Sequence, residues 1–183
     1  MDFCKVSVIS LIVASFLSFG PRGAEAEDGN AIGGSARSAD TDAPLEDVDV
    51  SVVKQAGVRD QTRAPDGLYT LKVPASLKAF DLLYKKAGYL DSYDPEVLND
   101  KQQQKRPIAR MTPVSSISKL GSNILVKLVN DAIAAMKRGA AMRADSLTES
   151  GAANLKVLEK NLPPRPELLG LKERIREALQ TEA

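Results

Sequence analysis

Apolar and polar side chains alternate in short runs over residues 31–113. Val48, Val50 and Val52 alternate with Asp47, Asp49 and Ser51, the period-two pattern of a strand with one buried face. In the next run Tyr69, Leu71 and Val73 share one face and Leu68, Thr70 and Lys72 the other. In a third, Phe80, Leu82 and Tyr84 alternate with Asp81, Leu83 and Lys85. Residues 32–39 and 108–112 predict a first and a last strand, the first made poorer in β-branched residues by Gly33 and Gly34. Turn-forming clusters at 40–44 and 64–67 separate these runs, and Pro74, with no N–H for a ladder, closes the Tyr69 strand.

Beyond Pro113 the period lengthens. Ile117, Leu120, Ile124, Leu128, Ala132 and Met136 recur at helical spacing, with Leu125, Val129 and Ile133 widening the stripe. This predicts one long helix, capped by Ser115 or Ser116 and bent or ended at Gly139. Ser146-Leu147-Thr148-Glu149 has capping-box spacing and predicts a second helix through Leu155, Leu158 and Leu162. Pro163, Pro164 and Pro166 interrupt it, and Leu168, Leu171, Ile175 and Leu179 predict a last amphipathic helix. The expected class is α+β: a small antiparallel β-sandwich over 31–113, then a tail of two or three helices over 114–183.

Four motifs occur in a fixed order: Ile32-Gly33-Gly34-Ser35-Ala36-Arg37, Pro44-Leu45-Glu46-Asp47-Val48-Asp49-Val50, Asp66-Gly67-Leu68-Tyr69-Thr70-Leu71-Lys72-Val73-Pro74, and a strand from Phe80 closing on Gly88-Tyr89. In that order the segment resembles the carboxypeptidase regulatory-like domain. The resemblance implies a transthyretin-like β-sandwich of the kind appended to enzymes or receptors as a folding, spacing or binding unit. Residues 91–106 form a longer and more polar stretch than the family's usual link to its last strand, so an inserted loop or short helix is expected there.

Residues 1–26 read as an export signal. Lys5 precedes an apolar stretch from Val6 to Phe19, Gly20 and Pro21 break it, and Ala24-Glu25-Ala26 has the small-x-small pattern of a cleavage site. The apolar stretch is shorter than the ~20 residues a spanning helix needs. Residues 27–30 form a polar leader, and the expected destination is periplasmic or extracellular. No transmembrane segment is expected once the signal is removed.

Composition then narrows the chemistry. The chain of 183 residues has no His, and its single Cys is Cys4. Ser-His-Asp and Cys-His catalysis and most zinc sites are thereby excluded. Charges nearly cancel, with 25 Lys+Arg against 24 Asp+Glu, so no basic face points to nucleic acid. No enzyme activity and no cofactor is expected. Among candidate binding residues, Tyr89 and Tyr93 are placed to stack on a sugar or peptide. Asp91, Asp94 and Glu96 form an acidic cluster that could ligate calcium, although the spacing does not fit an EF-hand loop. The stripe begun by Ile117, Leu120, Ile124 and Leu128 is a candidate surface for folding back on the sandwich, for self-association or for a partner protein. The expected function is an exported interaction module; a carbohydrate- or envelope-binding module is the alternative, and a His-free hydrolase a third.

Overall fold

In the computed structural model, residues 29–99 and 106–181 are described. The export signal expected at 1–26 lies outside them. Seven strands come first: β1 (Gly29–Ser38), β2 (Asp49–Val52), β3 (Arg59–Gln61), β4 (Leu68–Pro74), β5 (Ala79–Lys85), β6 (Ser92–Leu98) and β7 (Ile108–Met111). Three α-helices follow, α1 (Ser122–Met142), α2 (Asp145–Asn161) and α3 (Leu169–Thr181), with 3-10 turns at Val114–Lys119 and Pro166–Leu168. The class is α+β, with two mostly antiparallel sheets followed by C-terminal helices. No helix among the described residues is long and apolar enough to cross a membrane.

One sheet has the order β4-β1-β7, the other β3-β2-β5-β6. Alternation carries Val50, Val52, Tyr69, Leu71, Val73, Phe80, Leu82 and Tyr84 into one shared core between the sheets. Two pairings depart from expectation. β1 and β7 run parallel, with Ser35 opposite Ile108, so the sandwich is not wholly antiparallel. The stretch expected as a loop or short helix contains β6, whose register against β5 shifts between Phe80 and Leu82. Pro95 and the positive φ of Glu96 (57°) interrupt its regular pleat, which hid the strand from a pattern search. Gly29 and Asn30, expected as leader, open β1 opposite Pro74 and Val73.

The glycines of β1 also have a reason. A Cβ on Gly34 would stand 2.2 Å from the Tyr69 hydroxyl and 2.7 Å from the Pro107 carbonyl. The vacancy admits the Tyr69 ring, whose hydroxyl shares a 2.8 Å hydrogen bond with that of Tyr84 on the opposite sheet. The rings meet edge-on at 5.9 Å. Burial pushes the Tyr69 hydroxyl up to about 12 and Tyr84 well above its ordinary range, so both stay neutral and one hydroxyl donates to the other.

The helices differ from their predicted starts. The expected single helix from Ser115 is a 3-10 turn, then Gly121 in an extended conformation, then α1. Neither serine caps a helix. The break turns Ile117, fully buried, into the same cluster as Leu155 and Leu158 of α2. The capping box is likewise absent: α2 starts at Asp145 behind Ala144, with no side-chain cap. Ala144 is instead buried against Val53, Leu83 and Leu147.

Gly139 does not end α1, which runs to Met142 and is capped by Arg143 in the left-handed region (φ 53°). A Cβ at Gly139 would lie 2.5 Å from the Thr148 N–H nitrogen, and one at Gly151 2.7 Å from the Ala132 carbonyl oxygen. These two glycines are where α1 and α2 touch backbone to backbone. Gly151→Ala gains about 1 kcal/mol of helix propensity but has to separate the helices. A net loss of about 1–3 kcal/mol is expected from urea unfolding; an unchanged or raised midpoint would contradict this close packing.

The apolar stripe of α1 is therefore largely internal. Ile117 is buried, and Leu120 and Leu128 pack partly against the helical cluster with Leu171 and Ile175 of α3. Ile124 is 50% exposed and remains outside it.

Candidate functional site

Strand β5 is buried on both faces, and that places the site. Phe80, Leu82 and Tyr84 point into the sandwich, while Asp81 and Leu83 point outward beneath the helices. Leu83 and Val53 meet Ala135, Ala144 and Leu147, with Tyr93 and Met142 partly buried alongside. The tail thus lies on the outer face of the four-stranded sheet.

Two polar clasps fix it there. Arg138 of α1 donates to both oxygens of Asp81, from Nε at 2.8 Å and from Nη2 at 3.0 Å. The same carboxylate accepts the Tyr93 hydroxyl at 2.9 Å and the Glu96 backbone N–H at 2.9 Å. Burial alone would raise Asp81, but the Arg138 guanidinium, the Glu96 N–H and the Tyr93 hydroxyl together hold it below the usual carboxylate range. Tyr93 moves the other way, raised by burial and by its bond to Asp81.

The second clasp joins the residue just before β6 to α2. The Asn154 side chain pairs with the Asp91 backbone as another strand would, accepting its N–H at 2.9 Å and donating to its carbonyl at 2.8 Å. Ser150 donates to Asp91 Oδ2 at 2.8 Å, and Lys85 lies 3.9 Å from the same oxygen. Burial outweighs both and raises the Asp91 carboxyl.

Between the clasps and the exposed end of β7 opens a cleft of about 490 Å³, within the roughly 300–1,000 Å³ of small-ligand sites. Its apolar wall is formed by Tyr93, Leu90, Leu128, Ala132 and Ala135. Asp91, Ser92, Thr112 and Asn154 also line the cleft, with the exposed charges Arg110, Lys127 and Asp131. Each of these exposed charges has a partner: Arg110 lies 3.2 Å from Asp42, and Lys127 pairs with Asp131 one helical turn on.

Three residues singled out in the sequence, Tyr93, Asp91 and Leu128, converge on this cleft. Tyr89 does not line it; its ring packs partly against the sandwich core, and its backbone bridges to Pro113. The acidic cluster is dispersed in its contacts. Asp91 holds α2, Glu96 reaches Arg138 at 3.4 Å, and Asp94 stands opposite Leu82 in the β5–β6 register. No group of three His, Cys, Asp or Glu suited to hold a metal occurs among the described residues. Asp81, Arg138, Ser150 and Asn154 were not singled out in the sequence. The available signal was an apolar residue, Leu83, on the same strand face as Asp81 and Lys85. No protein-family model and no curated protein matches the chain.

Proposed function

We propose that this protein is an exported, non-enzymatic interaction module whose ligand seats in the cleft between β6, β7 and the docked helices. The observation that carries the reading is that cleft: its walls come from both halves of the chain and are held by the Asp81–Arg138 and Asp91–Asn154 clasps. Sites preorganised by buried polar contacts lose little freedom when a ligand arrives. The four motifs quoted above support a carboxypeptidase regulatory-like sandwich as the platform. The lining favours binding over catalysis. The hydroxyl–carboxylate pair there, Ser150 with Asp91, has Ser150 buried and joins α2 to the residue just before β6, and no imidazole exists to act as base. The apolar pattern of residues 6–19 and the Ala24-Glu25-Ala26 site support export.

The test is a two-dimensional amide spectrum of the full chain titrated with two probe sets, neutral disaccharides and extended heptapeptides. Perturbations are expected to converge on Tyr93, Leu128 and Asn154 and to vanish in Leu128→Trp, which fills the cleft. Perturbations elsewhere, or unaffected by that substitution, would refute the cleft as the seat.

A further inference from the structure

The chemistry of the cleft narrows its ligand. An ionic ligand would have to displace an existing pair, because Arg110 already faces Asp42, Lys127 faces Asp131, and Asp91 takes Lys85 and Ser150 on one oxygen. What remains available is hydrogen-bonding capacity that an uncharged ligand can use. Asp91 Oδ1 has no hydrogen-bond partner among the described residues, and Thr112 lines the same cleft. An aromatic residue, Tyr93, lines the cleft as well. Tyr93 is held at its hydroxyl by Asp81 and along its strand by pairing with Leu83, so its orientation is set before a ligand arrives.

A held aromatic residue, a carboxylate oxygen and a hydroxyl residue lining one cleft match one kind of molecule well. A pyranose has an apolar C–H face and a rim of hydroxyls, each both donor and acceptor. Such a ring lies on an aromatic side chain while carboxylate and hydroxyl groups take its edge. Resting on the cleft being the ligand seat, we infer that it takes a neutral saccharide of one or two rings, stacked on Tyr93 with its hydroxyls toward Asp91 and Thr112. The cleft volume, about 490 Å³, leaves room for such a ligand and no long polymer segment.

The experiment titrates the full chain with maltose, cellobiose and N,N′-diacetylchitobiose, each to about 20 mM, a range that registers millimolar binding. At least one is expected to shift the Tyr93, Leu128 and Asn154 signals with millimolar Kd. Raising salt from about 50 to about 500 mM is expected to change that Kd less than about two-fold, as for an uncharged ligand. Tyr93→Ala is expected to weaken binding by about ten-fold or more. Because that change also removes a partner from Asp81, Thr112→Val serves as the second variant, expected to weaken binding several-fold with the fold intact. Absence of cleft shifts with all three sugars overturns the inference, as does loss of binding with salt. If heptapeptides shift the cleft and sugars do not, the interaction module stands and the saccharide assignment falls. If sugars shift only residues outside the cleft, both fall.

Discussion

Arg138→Ala is expected to lower the unfolding free energy by about 2–3 kcal/mol. The figure is below the ~3–5 kcal/mol for breaking a fully buried pair, because Arg138 is partly solvated and its share is screened. The loss arises at the other end of the bond: the Asp81 side chain is 3% exposed, against 36% for Arg138. Without the guanidinium, the carboxylate keeps the Tyr93 hydroxyl and the Glu96 N–H but no counter-charge. The effect has a pH signature with a definite sign. The folded carboxyl titrates below its ordinary value of 3.8, so it stabilises the fold above that pH. That contribution disappears as pH falls through the folded value. In Arg138→Ala burial dominates and the carboxyl rises instead. The variant is then expected to lose its deficit in acid, where protonation of Asp81 removes the unpaired charge. Urea unfolding from neutral pH to about pH 3 measures both slopes. Parallel curves for the two proteins would show that the clasp is not what couples the tail to the sheet. Arg138→Lys is expected to recover part of the stability, since one ammonium cannot reproduce a two-point contact.

Gly34→Ala is expected to cost more, about 3–5 kcal/mol. The added carbon arrives 2.2 Å from the Tyr69 hydroxyl and 2.4 Å from the ring carbon bearing it, with the Pro107 carbonyl on the other side at 2.7 Å. The Pro107 oxygen is anchored by the Ser35 N–H at 3.0 Å, so the ring is the part that must move. Overpacking a core costs about 1–3 kcal/mol. Displacing Tyr69 also breaks its bond to Tyr84, leaving a buried hydroxyl unpaired at about 1–3 kcal/mol more. The double variant Gly34→Ala with Tyr69→Phe separates these contributions. Removing the hydroxyl clears part of the clash, so the pair is expected to be more stable than Gly34→Ala alone. If the single variant unfolds at the same urea concentration as the parent, the ring does not occupy the gap over Gly34. A tyrosine ultraviolet difference spectrum would then confirm that the Tyr69 environment is unaltered.

The fold was readable wherever the buried face repeated locally. β2, β4, β5 and β7 and the apolar faces of all three helices each carry their own periodic signal, because strand and helix geometry alternate side chains at fixed intervals. β3 has no such signal. Arg59, Asp60 and Gln61 form a strand because β2 supplies a ladder, with Asp49 opposite Gln61, and because the Gln61 amide donates to Asp49 at 2.6 Å. β6 is similar: an edge strand containing Pro95, it is defined by β5 and by Asp81 accepting the Glu96 N–H. The helix starts at Ser115 and Ser146 were misplaced because a cap is a weak local preference. Burying Ile117 and Ala144 outweighed it.

The candidate site shows the same division. Tyr93, Asp91 and Leu128 were each singled out in the sequence, but nothing in the order of residues says that they line one cleft. Their meeting depends on α1 and α2 covering the outer face of β5, which in turn depends on Leu83, Val53 and the Asp81–Arg138 bond. Alternation set Asp81, Leu83 and Lys85 on that outer face of β5. It is dry because a second layer exists, and a two-residue period records only that the two faces differ. The sequence by itself therefore determined the class, the switch from strands to helices near Pro113, and the chemistry excluded by the absence of histidine. Tertiary structure alone decided the parallel β1–β7 pairing, the glycine contacts between α1 and α2, and the cleft. The reason is the range of the forces: backbone geometry repeats within a few residues, whereas packing and ion pairing join residues that the chain brings together only by folding.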